Sequence, residues 1–239
     1  MSSMVVDPYR FAVSFVPTDI SGCKLWLDAS DTATISDTGG LVDTWSDKSG
    51  QSNNFTGSGT QRPTTSSVTI NSLNALEFMF AAGSTGDYMT AGSNFASGFT
   101  AGTIFLVVKS TVSASQAITY FQCGSNTSPF HPFGNGLFYE SFGSTVRRDA
   151  INVSAFTLTN AHVYSVAAAS NDWAAYINGT SISSTGTNTV SFAVTPTLGS
   201  GPNGYGGMNF GEVLIYNSKL SSGDQSTVKS YLATKWGTP

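Results

Sequence analysis

The segment Trp173-Ala174-Ala175-Tyr176-Ile177-Asn178-Gly179-Thr180-Ser181-Ile182 reads as a β-hairpin. Asn-Gly between two strand-like runs is the strongest short-range turn signal, because a two-residue hairpin turn needs positive φ at its centre. The run before it, Val163-Tyr164-Ser165-Val166-Ala167-Ala168, supplies another strand. Toward the N-terminus, Thr103-Ile104-Phe105-Leu106-Val107-Val108-Lys109 is almost continuously apolar, the pattern of a strand covered on both faces. Ala75–Phe80 alternates cleanly and Tyr88–Ala91 more weakly. Ile118–Cys123 and Gly136–Phe142 read as strands around a loop at 124–135 that carries Pro and Gly. In Cys23–Asp28, Cys23, Leu25 and Leu27 share one face and Trp26 covers the other. Asp31–Gly40 reads as a polar loop, and Val42, Trp45 and Phe55 mark short strands. Phe210–Tyr216 is a last strong strand after a glycine-rich loop at 199–209.

One helix stands out near the end. Ser222 and Gln225 form a capping box. Val228, Tyr231, Leu232 and Trp236 make an apolar stripe for docking on a sheet, and Gly237 and Pro239 stop the helix. Many short strands and one terminal helix predict an all-β sandwich in a single domain. Residues 1–17, ending at Pro17, read as an extended arm, and residues 18–239 as the domain.

Composition narrows the function. Only 10% of the 239 residues are charged, with a net charge of −4. The polar surface comes instead from 36 serines and 29 threonines. A chain with 10 Lys and Arg, of which only Arg147-Arg148 are adjacent, has no electrostatic footprint for nucleic acid. No apolar run is long enough to span a bilayer as a helix, so no membrane insertion is expected. The first residues lack a basic stretch followed by a long apolar one, so no secretory signal is read. Cys23 and Cys123 read as buried free thiols, with a single bridge between them as the alternative.

Four blocks together resemble laminin-G-like, concanavalin-A-like domains. They are Ile20–Asp31, Val42–Gly50, Trp173–Gly179, and Gly211–Asn217 with Leu220-Ser221, Tyr231-Leu232 and Lys235-Trp236. A narrower stretch, Gly134-Asn135-Gly136-Leu137-Phe138-Tyr139-Glu140-Ser141-Phe142-Gly143-Ser144-Thr145-Val146-Arg147, resembles a segment of such proteins in phage and large-virus particles. The resemblance implies a two-sheet antiparallel jelly roll. It also implies sugar binding, adhesion or particle assembly rather than a defined reaction, although a fold so widely shared does not fix function.

The residues themselves offer little catalysis. A glycosidase on this fold needs two carboxylates roughly 5–10 Å apart. Related glucanases carry them as Glu-x-Asp-x-Glu on one strand, whereas Glu77, Glu140 and Glu212 are isolated here. His131 and His162 are the only histidines, and no Gly-x-Ser-x-Gly elbow is present. No catalytic residue is assigned and no enzyme is expected. No cofactor or metal is expected either. Calcium is the one alternative, through Asp43 with Asp47, or through Asp87 with nearby carbonyls.

Sugar binding needs aromatic faces for the ring and amides or hydroxyls for its alcohols. Tyr205 in the glycine-rich loop is the first candidate, with Asn203 beside it. Next come Phe130, His131 and Phe133 in a loop stiffened by two prolines, and then Trp173, whose alternation also fits core packing. Trp26 and Trp45 are assigned to packing. Arg147, with Arg148 and Asp149, could bind an acidic sugar or a neighbour's carboxylate. The expectation is a non-enzymatic structural or adhesive module of a virion, in a capsid decoration, minor capsid, tail or fibre position. Its partners would be other virion proteins, glycans or both, in an oligomer or larger assembly. The alternative is a free, extracellular carbohydrate-binding lectin or secreted glycan-active protein.

Overall fold

The computed structural model describes residues 15–80, 86–113, 116–124, 129–201 and 204–239. In chain order the strands are β1 (Cys23–Asp28), β2 (Ile35–Thr38), β3 (Leu41–Trp45), β4 (Phe55–Thr56), β5 (Thr64–Ile70), β6 (Leu73–Phe78), β7 (Met89–Ala91), β8 (Ala101–Ser110), β9 (Phe121–Gln122), β10 (Phe138–Glu140), β11 (Arg148–Ile151), β12 (His162–Ala169), β13 (Asp172–Ile177), β14 (Thr180–Thr185), β15 (Thr197–Leu198), β16 (Ser200–Gly201), β17 (Gly204–Tyr205) and β18 (Met208–Tyr216). The helix α1 spans Ser222–Trp236.

The strands form a β-sandwich from one long antiparallel ladder that curls on itself. Its order is β14-β13-β12-β8-β18-β6-β5-β3-β4-β7-β15-β9. The passage from β5 to β3 rests on one residue pair, Leu41 with Thr64. The Asn178-Gly179 hairpin is present between β13 and β14, with both turn residues at positive φ. β8 is buried from Gly102 to Val108, as its unbroken apolar run requires. The interior is aromatic, with Trp45, Trp173, Trp236, Tyr120, Tyr164 and Tyr216 among its largest enclosed side chains. Cys23 and Cys123 are buried free thiols, and burial pushes the Cys23 thiol up to about 12.

β18 serves two partners in succession. Met208–Phe210 pairs with β6, and Glu212–Tyr216 pairs with β1. The register against β8 shifts between Phe210 and Glu212, which marks a bulge at Gly211. Trp236 of α1 packs on that bulge. A Cβ on Gly211 would lie 2.9 Å from the indole, so only glycine admits the helix there. Val228, Leu232 and Trp236 are the buried stripe of α1.

Several elements differ from the sequence reading. The N-cap of α1 is Ser221, one residue earlier than expected, and its hydroxyl accepts from the Asp224 amide. Gln225 instead donates to the Leu220 carbonyl. The polar stretch at 31–40 holds a 3-10 turn and β2, because hydrogen bonds to β3 order it despite its polarity. Ile118–Cys123 shortens to the two residues of β9, since the preceding backbone bonds to the 130–132 segment. Of the proposed arm, residues 1–14 lie outside the described residues. Its described end is docked. Phe15 meets Tyr231 edge-on at 5.6 Å, and the Pro17 carbonyl accepts from the Tyr216 hydroxyl.

Candidate functional site

β10 is three residues long and alternates between interior and surface. Phe138 and Glu140 point inward and Tyr139 outward. The ribbon β10–β11 is joined to the body through bridges between Phe130 and Tyr139 and between Gly124 and Phe142.

Inside, Glu140 is a carboxylate surrounded by donors. One oxygen accepts from the backbone amides of Ser141 and Phe142, both at 2.7 Å. The other accepts from the Tyr164 hydroxyl and from His131 Nε2, the latter at 2.8 Å. The Tyr120 amide donates to His131 Nδ1, which makes Nδ1 the acceptor and leaves the proton on Nε2, aimed at Glu140. Burial opposes ionisation of Glu140. His131, Tyr164 and the Phe142 amide outweigh it and hold the carboxyl below its ordinary value. His131 also stacks on Tyr120, at 5.2 Å between centroids. It is therefore a buried brace of the 129–142 segment and presents no face for a ligand.

Outside, the same segment builds an aromatic step. Phe130 and Phe133 lie 4.8 Å apart, and Tyr139 meets Phe133 at 5.6 Å and Phe130 at 6.1 Å. Phe130 is buried and forms the base of the step, while Phe133 is 40% exposed. The Arg147 guanidinium lies 4.8 Å over the Tyr139 ring and is ion-paired with Asp149. Asn135 donates to the Tyr139 hydroxyl at 2.9 Å and accepts from the Leu137 amide, which fixes the turn. Val146 is 59% exposed beside Arg147 in the chain. The step thus presents one open ring, a stacked cation balanced by a carboxylate, and an amide. Such a surface can take the apolar face of a sugar ring and bond its hydroxyls.

Phe130, Phe133 and Arg147 thus come together, and Tyr139, which sequence reasoning missed, joins them. The signal for Tyr139 was the alternation Phe138-Tyr139-Glu140, in which an aromatic neighbour to two inward residues must face out. Trp173 is enclosed, with its indole N–H donating to the Phe142 carbonyl, so it packs and cannot stack on a ligand. Arg148 lies 5.6 Å over the Trp173 ring and donates to the Thr187 carbonyl and the Asn188 side chain. It therefore braces the fold. Tyr205 stands apart, edge-on to Tyr88 at 6.4 Å, and Asn203 lies outside the described residues.

The acids considered for calcium are engaged separately. Asp43 is bound by Arg62 and Thr38. Asp47 accepts from the amides of Trp26, Ser49 and Asn53 and from the Ser49 hydroxyl, which orders the 47–53 loop. Asp87 accepts from the Met79 amide, and burial, with Glu77 nearby, raises its carboxyl above the ordinary value.

Three of the four blocks that resembled one family, all but Trp173–Gly179, meet around a second buried carboxylate. Glu212 accepts from the indoles of Trp26 and Trp236, both at 2.7 Å, and from Tyr231 and Lys235, both at 2.8 Å. Lys235 also bonds Asp28 at 2.7 Å, and Lys48 joins Asp28 to Asp31. Burial and the neighbouring Asp28 raise the Glu212 carboxyl, against the pull of Lys235 and Trp236. At Asp28 burial is outweighed by Lys235, Ser30 and Lys48, which hold its carboxyl below the ordinary value. This network ties β1, β18 and α1 together.

No family model matches the chain, and no curated protein matches it. Solved structures do. The likeness is one of fold. The binding domain of botulinum neurotoxin DC, solved with rat synaptotagmin II, is 13% identical over 92% of this chain and 55% of its own, with a TM-score of 0.60. The receptor-binding domain of the botulinum neurotoxin C/D mosaic serotype is 15% identical over 93% and 55%, also at 0.60. Trypanosoma rangeli sialidase bound to the inhibitor DANA is 12% identical over 96% and 36%, at 0.62. The chain spans about half the length of the toxin domains and about a third of the sialidase. All share the antiparallel β-sandwich described above.

Proposed function

We propose that this chain is a non-enzymatic adhesion module of a virus particle, on a capsid, tail or fibre, and that it binds glycans through the step formed by Phe133, Tyr139 and Arg147. One observation carries the reading. The Gly134–Arg147 segment, which resembles laminin-G-like particle proteins, supplies Tyr139 and Arg147 of the step, together with the Asn135 that braces it. Two further points support it. Glu140 and Glu212, the acids a hydrolase would use, are each saturated by four donors and buried. The neurotoxin neighbour is named for receptor binding, and the sialidase neighbour is solved with the inhibitor DANA.

The test is a glycan array probed with the purified protein and with Phe133→Ala and Tyr139→Ala. A defined glycan set retained by the wild type and lost by both variants is expected. Equal retention by the variants, or no retention at all, contradicts the reading. Immunogold labelling of particles separates the virion role from that of a free lectin, which would use the same surface.

A further inference from the structure

A cleft of about 330 Å³ opens beside the Pro132–Leu137 turn. That is the low end of the roughly 300–1,000 Å³ range of small-ligand sites. Its floor is apolar, with Val112, Leu137 and Phe156 half-buried. Its rim carries the exposed side chains of Asn135, Asn152 and Ser154. Asn152 spends its carbonyl on the Ser154 amide, and its side-chain nitrogen has no bond among the described residues. Among the described residues, no Lys, Arg, Asp or Glu lines the cleft. An apolar floor under an amide and hydroxyl rim is the chemistry of a second sugar subsite.

Asn135 makes the cleft and the step continuous. It lines the cleft and holds the Tyr139 hydroxyl at 2.9 Å. Among the described residues the charges at the step are Arg147 and Asp149, which pair with one another. Resting on the glycan reading above, we infer that the ligand is a neutral oligosaccharide of at least two sugars, one over the Phe133–Tyr139 step and the next in the cleft.

The probes are cello-, laminari-, xylo- and manno-oligosaccharides of one to six units, with oligogalacturonates as the acidic counterpart, titrated by calorimetry. In the series that binds, affinity should rise at least about tenfold from the monosaccharide to the di- or trisaccharide, about 1.4 kcal/mol. Asn152→Ala and Ser154→Ala, both at exposed positions, should remove that gain and leave monosaccharide binding unchanged. Binding without length dependence, or cleft variants with wild-type affinity for the longer sugar, overturns the second subsite and leaves the glycan reading standing. A preference for oligogalacturonates overturns neutrality. No binding to any member, together with an empty array, overturns the glycan reading itself.

Discussion

Tyr139 and Glu140 are consecutive residues of one short strand that face opposite sides of the protein, Tyr139 into the surface step and Glu140 into a buried cage of four donors. The strand alternation makes each the lever of the other: the carboxylate that braces the interior also fixes where the tyrosine stands. Substitutions at the two positions should therefore separate. Tyr139→Ala should weaken glycan binding while leaving the melting temperature within a few degrees of wild type. Glu140→Ala leaves the His131 and Tyr164 donors and two buried amides without an acceptor and should cost about 3–5 kcal/mol. Parallel thermal melts and binding titrations check this. Loss of binding in Glu140→Ala with an unchanged melt would contradict it.

Stability should fall in acid in two stages. His162 is enclosed and pushed down to about 4 by burial, opposed by a bond to the Asn160 carbonyl. The unfolded chain takes up that proton near pH 6.5 and the folded chain only near 4, so stability drops as pH falls through that window, by roughly 3 kcal/mol in all. Glu140 and Asp28 have depressed carboxyls, so what they contribute is lost at lower pH, as each protonates. Glu212 and Asp87 are raised and act in the opposite sense, gaining stability as pH falls. Denaturant midpoints at pH 7.5, 6, 5 and 4 should decline for wild type, and His162→Asn should flatten the upper part of that decline.

Lys235 bridges two carboxylates, Asp28 and Glu212, at 2.7 and 2.8 Å. Lys235→Met leaves both acids buried without their shared cation and should destabilise by about 3–5 kcal/mol. Adding Glu212→Gln should recover part of that loss, because the remaining acid no longer faces a second charge. A strictly additive double variant in urea unfolding would show that the bridge is not the source of the effect.

Gly211→Ala tests the helix dock. The added methyl meets the Trp236 ring at 2.9 Å, so α1 must shift off the bulge. A loss of about 1–3 kcal/mol is expected for overpacking of this kind, with a red shift in tryptophan emission. An unchanged spectrum and melt would mean that the helix accommodates the methyl freely.

The architecture was largely legible from the chain. The Asn-Gly hairpin, the doubly buried β8 and the apolar stripe of α1 each follow from local periodicity, and local periodicity survives into the fold. What failed depended on distant partners. β2 was hidden in a polar stretch because its order comes from β3 across a turn. His131 read as a loop residue because its answering group, Glu140, sits nine positions away with no pattern linking them. Trp173 was ambiguous: its alternation with Ala175 and Ile177 already fitted core packing, and the Phe142 carbonyl and Arg148 that enclose it lie far off in the chain. The step was half visible, since its phenylalanines and Arg147 were candidates while Tyr139 passed as one more strand residue.

The most direct test is an isothermal titration of wild type and the Phe133→Ala/Tyr139→Ala double variant with the glycan the array selects. The account predicts saturable binding by wild type and at least about tenfold weaker binding by the variant, a difference of about 1.4 kcal/mol or more, with both proteins melting at similar temperatures. Equal affinity of the two folded proteins for the same glycan would contradict it.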